Sequence, residues 1–111
     1  NPTMLVQFFG ALAESRIVNP ESLNLMINAG WHDPEEPGWH YGYGLFVRKE
    51  ATDYGHGGLW PGYRTRVWHY ASSGMTVAVQ TNRDGKLDME GLTAEIAALA
   101  QEPRRGTFIA Q

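Results

Sequence analysis

The stretch Tyr54-Gly55-His56-Gly57-Gly58-Leu59-Trp60-Pro61-Gly62-Tyr63 constrains this chain more than any other. Four glycines in ten residues would weaken an ordinary strand, because glycine costs backbone entropy and offers no side chain to pack. Glycines placed this densely belong where a backbone turns sharply or where something approaches it closely. The one ionisable imidazole inside the run is His56, a group whose ring can donate or accept hydrogen bonds and change charge near neutral pH. The run therefore reads as a strand edge built to be approached, with one polar handle. A half-buried strand histidine satisfied by a backbone carbonyl is the plainer alternative.

The 111 residues suffice for a single domain, 1–111, around one core. With 42% hydrophobic and 12% aromatic residues the chain is globular in composition rather than disordered. A net charge of -3 argues against a nucleic-acid partner, which calls for a basic face. Arg64 and Arg66 read as a solvated strand face. The absence of cysteine excludes a disulfide framework and a thiolate metal site, and leaves the compartment open. No apolar run approaches the roughly 18 residues of a membrane span. The chain begins with Asn1 rather than Met, which reads as a processed or trimmed start.

Apolar residues at Met4, Leu5, Phe8, Phe9, Ala11, Leu12 and Ala13 have helical spacing, so a helix is predicted over residues 3–14, with Thr3 as N-cap. Asn19 and Pro20 open a second short helix carrying Leu23, Leu25, Met26 and Ile27, and Gly30 ends it. Residues 31–40, with two prolines and a glycine, read as a loop. A strand is predicted over Tyr41–Arg48, then a polar turn over 49–53 and a second strand running into the glycine-rich stretch. Pro61-Gly62 turns the chain into a third strand, Tyr63–Ala71, and Ser72-Ser73-Gly74 connects it to a fourth, Met75–Thr81. That fourth strand, being β-branched and apolar, is expected to be central and buried. Residues 82–85 read as a turn. An amphipathic helix follows over Leu87–Ala100, with Leu92, Ile96, Leu99 and Ala100 facing the sheet. Pro103 stops it, and residues 104–111 form a frayed tail or a short edge strand. Short links between consecutive strands imply an antiparallel meander. The fold class is therefore α+β, an antiparallel sheet of about four strands flanked by N- and C-terminal helices.

Serine or threonine nucleophiles lack a recognisable activating context: none sits in a G-x-S-x-G elbow, and none is followed by lysine three residues later. Ser72 and Ser73 are turn residues. His32, His40, His56 and His69 lack the H-E-x-x-H spacing. With the turn over Gly58–Gly62, His56 would face Arg64, and His69 would lie near Ala51, too far away to share an ion. They therefore read as surface and loop histidines rather than metal ligands. No cofactor is implied. The dense aromatics read first as packing. A sharper reading puts Trp60 and Tyr63, which flank the glycine run, in an aromatic cleft beside His56.

These residues resemble a known family. Tyr41-Gly-Tyr-Gly-Leu45, then Gly55-His-Gly-Gly58, Pro61-Gly-Tyr63 and a strand ending Gln80-Thr81-Asn82 resemble the C-terminal part of the serine β-lactamase-like hydrolases. That family includes class C β-lactamases, D-Ala-D-Ala carboxypeptidases and esterases, built on a three-layer αβα domain. Residues 3–12 and Ile17-Val-Asn-Pro-Glu-Ser22 resemble the segment that precedes the last strands. Order and spacing carry the likeness more than any single motif. It implies that His56-Gly57-Gly58 is the His-x-Gly variant of the family's third catalytic box. His56 would position substrate, Gly57 and Gly58 would let it lie against the strand, and the backbone N–H of Leu59 would be one oxyanion donor. Trp60 and Tyr63 would flank the substrate.

The family's S-x-x-K and Tyr-x-Asn boxes are absent, since no tyrosine has Asn two residues later. The resemblance therefore implies the C-terminal portion of a hydrolase for small amide or ester substrates, carrying one wall of the active site and inactive by itself. Two further readings stand beside it. One is a ligand- or peptide-binding module built on the same sheet. The other is a domain that self-associates through an unpaired sheet edge.

Overall fold

The computed structural model describes residues 1–48, 50, 52–83 and 85–102. Three helices flank a six-stranded sheet, in an α+β arrangement. Helix α1 spans Pro2–Ala13. Its N-cap is Asn1, whose Oδ1 accepts from the Met4 amide at 3.0 Å, and not Thr3 as expected. The physical reason is Pro2: without an N–H, proline fits the first helical position, so the cap is the residue before it, two positions upstream of Thr3. Helix α2, Pro20–Asn28, begins as the sequence suggests, with Asn19 Oδ1 accepting from Ser22 N at 2.8 Å. Gly30 leaves it at φ +101°, a conformation suited to glycine.

The strands are β1 (Trp31–His32), β2 (Trp39–Tyr41), β3 (Phe46–Arg48), β4 (Asp53–Trp60), β5 (Tyr63–Tyr70) and β6 (Met75–Thr81). They pair antiparallel in sequence order, β1 to β6. Three expectations change. The 31–40 segment is not wholly loop: its ends pair as β1 and β2, with Trp31 opposite Tyr41. The strand expected over 41–48 is broken, because the Gly42 amide turns back onto the Leu45 carbonyl at 2.7 Å and Gly44 adopts φ +78°. The two halves become β2 and β3 and pair with each other. Finally, β6 is an edge strand of the described sheet, with Val77 its one fully buried residue. Its apolar, β-branched composition reflects helices packed on both of its faces rather than strands on both of its sides.

Register places Val47, Tyr54, Val67 and Ala78 on one face. There they meet Phe9 and Leu12 of α1 and Leu45 in a single core cluster. Helix α3, Met89–Gln101, packs on the other face, capped by Asp88, whose Oδ1 accepts from Gly91 N at 2.9 Å. Its buried residues are Met89, Thr93 and Ala97. Leu99 is 65% exposed and Ile96 37%, so the expected Leu92–Ile96–Leu99–Ala100 stripe does not face the sheet. Polar anchors choose the helix rotation. Arg66 Nε–H donates to Thr93 Oγ1 at 3.2 Å, Arg64 donates to the Leu87 carbonyl at 2.7 Å, and Arg48 pairs with Glu90 at 2.6 Å. The stop at Pro103, the tail, and Lys49, Ala51 and Asp84 of the expected turns lie outside the described residues.

Candidate functional site

The site begins with the β4–β5 hairpin. Pro61 and Gly62 alone make the turn, with Trp60 opposite Tyr63 and Gly62 at φ +85°, the proline–glycine pattern of a type II turn. This tight turn sets the register. His56 lies opposite Val67, not Arg64, and His69 lies opposite Tyr54. A two-residue loop closes on a hydrogen-bonded pair, so the even residues of β4 bond to β5 and the odd residues point their backbone groups the other way.

On that other side, β3 pairs only with Asp53, Tyr54 and Gly55. Among the described residues, the edge from His56 to Trp60 therefore has no neighbouring strand. By the same alternation, Gly57 and Leu59 direct N–H and C=O groups outward from it.

His56 stands where β3 ends. Its Nδ1 lies 2.6 Å from the Gly57 carbonyl and its Nε2 lies 2.9 Å from Tyr41 Oη. Phe46 completes a triangle of rings. Centroids are 4.7 Å apart for Tyr41–Phe46, 5.1 Å for Phe46–His56 and 5.7 Å for Tyr41–His56.

The glycines of β4 divide into two kinds. A Cβ on Gly55 would collide with the Val67 carbonyl and the Trp68 ring. On Gly57 it would meet only the Thr65 carbonyl at 3.6 Å, and on Gly58 only Thr65 Cβ at 3.8 Å, both ordinary contacts. The fold requires Gly55. At Gly57 and Gly58 the packing leaves room for a side chain.

The structure thus brings His56, Gly57 and Gly58 together on the open edge, with the Leu59 amide next along it. Leu59 is 71% exposed, so its side chain is free of the core. Trp60 and Tyr63 face each other at the hairpin tip, both largely exposed. The rings that touch His56 are Tyr41 and Phe46 instead. Tyr63 lines an open concavity of about 710 Å³ with Thr65, Gln80, Thr81 and Asn82. On the α3 face, Gly57 borders a groove of about 400 Å³ with Trp39, Phe46, Arg66 and Trp68. The Arg66 guanidinium stacks on Trp68 at 4.4 Å, and burial lowers its pKa from the usual arginine value, partly offset by Glu90. Among the described residues, no group of three or more histidine or carboxylate side chains could hold a metal ion. No described helix is long and apolar enough to cross a membrane.

Sequence reasoning did not single out Tyr41 or Phe46 for the site. Tyr41 does open the Tyr41-Gly-Tyr-Gly-Leu45 motif, and that was the available signal.

Three helices on a six-stranded antiparallel meander define the α+β class of the fold. The Beta-lactamase family profile matches residues 1–102, and the chain belongs to that family. No curated protein matches it. Among solved structures it is similar to a D-stereospecific amidohydrolase from Streptomyces sp., with 29% identity and a TM-score of 0.60, over 72% of this chain and 24% of that one. It is also similar in fold to a penicillin binding protein from Bacillus halodurans, with 22% identity and a TM-score of 0.64, over 82% and 28% of the two chains. A third similar fold is a D-amino acid amidase from Ochrobactrum anthropi SV3 complexed with D-phenylalanine, with 19% identity and a TM-score of 0.64, over 90% and 35%. The chain thus spans about a quarter to a third of the length of each.

Proposed function

We propose that this chain is the C-terminal portion of a β-lactamase-like serine hydrolase acting on small amide or ester substrates. In this reading the nucleophile is supplied by another segment, and residues 56–60 form one wall of the active site. The observation that carries the reading is the open β4 edge with two glycines that the fold itself does not need.

Substrate lies along that edge, where Gly57 and Gly58 allow close approach. Serine attack on its carbonyl creates a tetrahedral intermediate with a negative oxygen. The outward N–H of Leu59 donates to that oxygen, an interaction worth about 3–4 kcal/mol in comparable enzymes. Trp60 and Tyr63 flank the substrate at the hairpin end. His56 holds the edge in shape and helps to position the substrate beside the nucleophile.

The test uses the chain joined to the coding sequence that precedes it. Amide or activated-ester turnover blocked by a serine-directed inhibitor is expected, with none from residues 1–111 alone. Leu59→Pro removes an N–H that no ladder bond uses, and should lower kcat about 10²–10³-fold. Leu59→Ala should leave kcat within about threefold, because the backbone acts and the side chain does not. Equal effects from the two variants, or turnover by the isolated chain, would count against the reading.

A second reading rests on β6. Its outer side has no strand beside it among the described residues, so seven residues of edge are open to pairing with another chain. Self-association or capture of an extended peptide there would make this sheet a binding module.

A further inference from the structure

His56 is tied at both ring nitrogens, and the chemistry of its partners decides where its protons sit. The Gly57 carbonyl can only accept a hydrogen bond, so Nδ1 must carry the hydrogen of the 2.6 Å contact. In the neutral ring Nε2 is then a lone pair, and the Tyr41 hydroxyl, 2.9 Å away, donates to it. An untethered neutral imidazole prefers the opposite arrangement, with its proton on Nε2. The site therefore selects the minor tautomer.

We propose that Tyr41 is the positioning residue of this site, holding His56 as the Nδ1–H tautomer with its ring fixed against the β4 edge. The proposal rests on reading His56-Gly57-Gly58 as an active-site wall. Two consequences follow. With both nitrogens engaged, neutral His56 has no free lone pair with which to take a proton from a nucleophile, so its part is structural and electrostatic. And the Tyr41 hydroxyl spends its hydrogen on His56, leaving its oxygen to present acceptor lone pairs. The group that fits beside Tyr41 is then an N–H donor, such as the amide of a peptide-like substrate. Phe46 packs against both rings and limits their tilt.

Long-range ¹H–¹⁵N correlation of the imidazole nitrogens in residues 1–111 tests this without any ligand. The signal lost in His56→Gln identifies the ring. In the wild-type chain this ring should show its proton on Nδ1. In Tyr41→Phe, the Nε2 resonance should move toward the position of an unbonded lone pair, while Nδ1 and the signals of His32, His40 and His69 stay in place. A wild-type ring protonated on Nε2, or a Tyr41→Phe spectrum that superimposes on wild type, would overturn the assignment. If Tyr41→Phe scatters all four histidine signals, the wild-type chain decides alone. A Tyr41 hydroxyl proton that exchanges slowly and cross-relaxes with the His56 ring upholds the assignment, and its absence rejects it. This result is independent of the Leu59 comparison, so either can fail while the other stands.

Discussion

Glycine means different things at neighbouring positions of β4. Gly55 is packed against the Val67 carbonyl and the Trp68 ring, while Gly57 and Gly58 have room for a methyl group. Gly55→Ala should therefore cost about 1–3 kcal/mol by overpacking. Gly57→Ala should change stability by no more than about 1 kcal/mol, and in the favourable direction, because it removes unfolded-state entropy. Urea midpoints of the two variants, compared at unchanged m-value, check this; similar losses from both would mean that the fold needs both glycines. The sequence marked the whole run as exceptional but did not divide it, because the division depends on which carbonyl of β5 lies opposite. The same holds for His56. Its identity and its glycine surroundings were visible in the chain, whereas Tyr41, 15 residues away, became its partner only through the turn at Gly42–Leu45.

Paired strands carry consequences that single residues do not. His69 on β5 is buried, and its Nδ1 lies 2.9 Å from Thr76 Oγ1 on the facing β6. Burial lowers its pKa below the ordinary value of 6.5, and nearby Asp53 offsets part of that. The folded state then binds a proton at His69 less readily than the unfolded state. Stability from this group is full above about 6.5 and falls as pH drops from there toward the folded pKa, where the loss is complete. His69→Gln should flatten that part of the profile. Urea midpoints from about pH 7.5 to about pH 5 measure it, and equal slopes in wild type and variant would show that His69 does not contribute.

At this scale the β4–β5 and β5–β6 hairpins, the proline-marked start of α2 and the positions of β4, β5 and β6 were legible, because turn chemistry and capping are local. The rotation of α3 was not legible. Its most apolar stripe, Leu92–Ile96–Leu99, lost to Met89–Thr93–Ala97 because arginines on β3 and β5 hold Glu90, Thr93 and the Leu87 carbonyl. The break in the 41–48 strand was hidden for a related reason: it is anchored by contacts to α2, where the Tyr43 amide donates to the Met26 carbonyl at 2.9 Å.

At the scale of the molecule, the outer side of β6, which has no strand beside it among the described residues, sets an expectation in solution. If β6 pairs between copies, light scattering of residues 1–111 should give a mass that rises with concentration. Replacement of Ala78 or Gln80 by proline should return the chain to a monomer. A monomeric mass at every concentration would remove self-association from consideration. What the sequence determined by itself was the kind of fold, the hairpin that ends in Pro61-Gly62, and the glycine-flanked histidine, because these depend on backbone preferences and spacing within a few residues. Which strand lies at the edge, which side of β4 is open, which face of α3 is buried and which tyrosine holds His56 were decided only in the tertiary structure, because each depends on a partner that the chain brings close by folding.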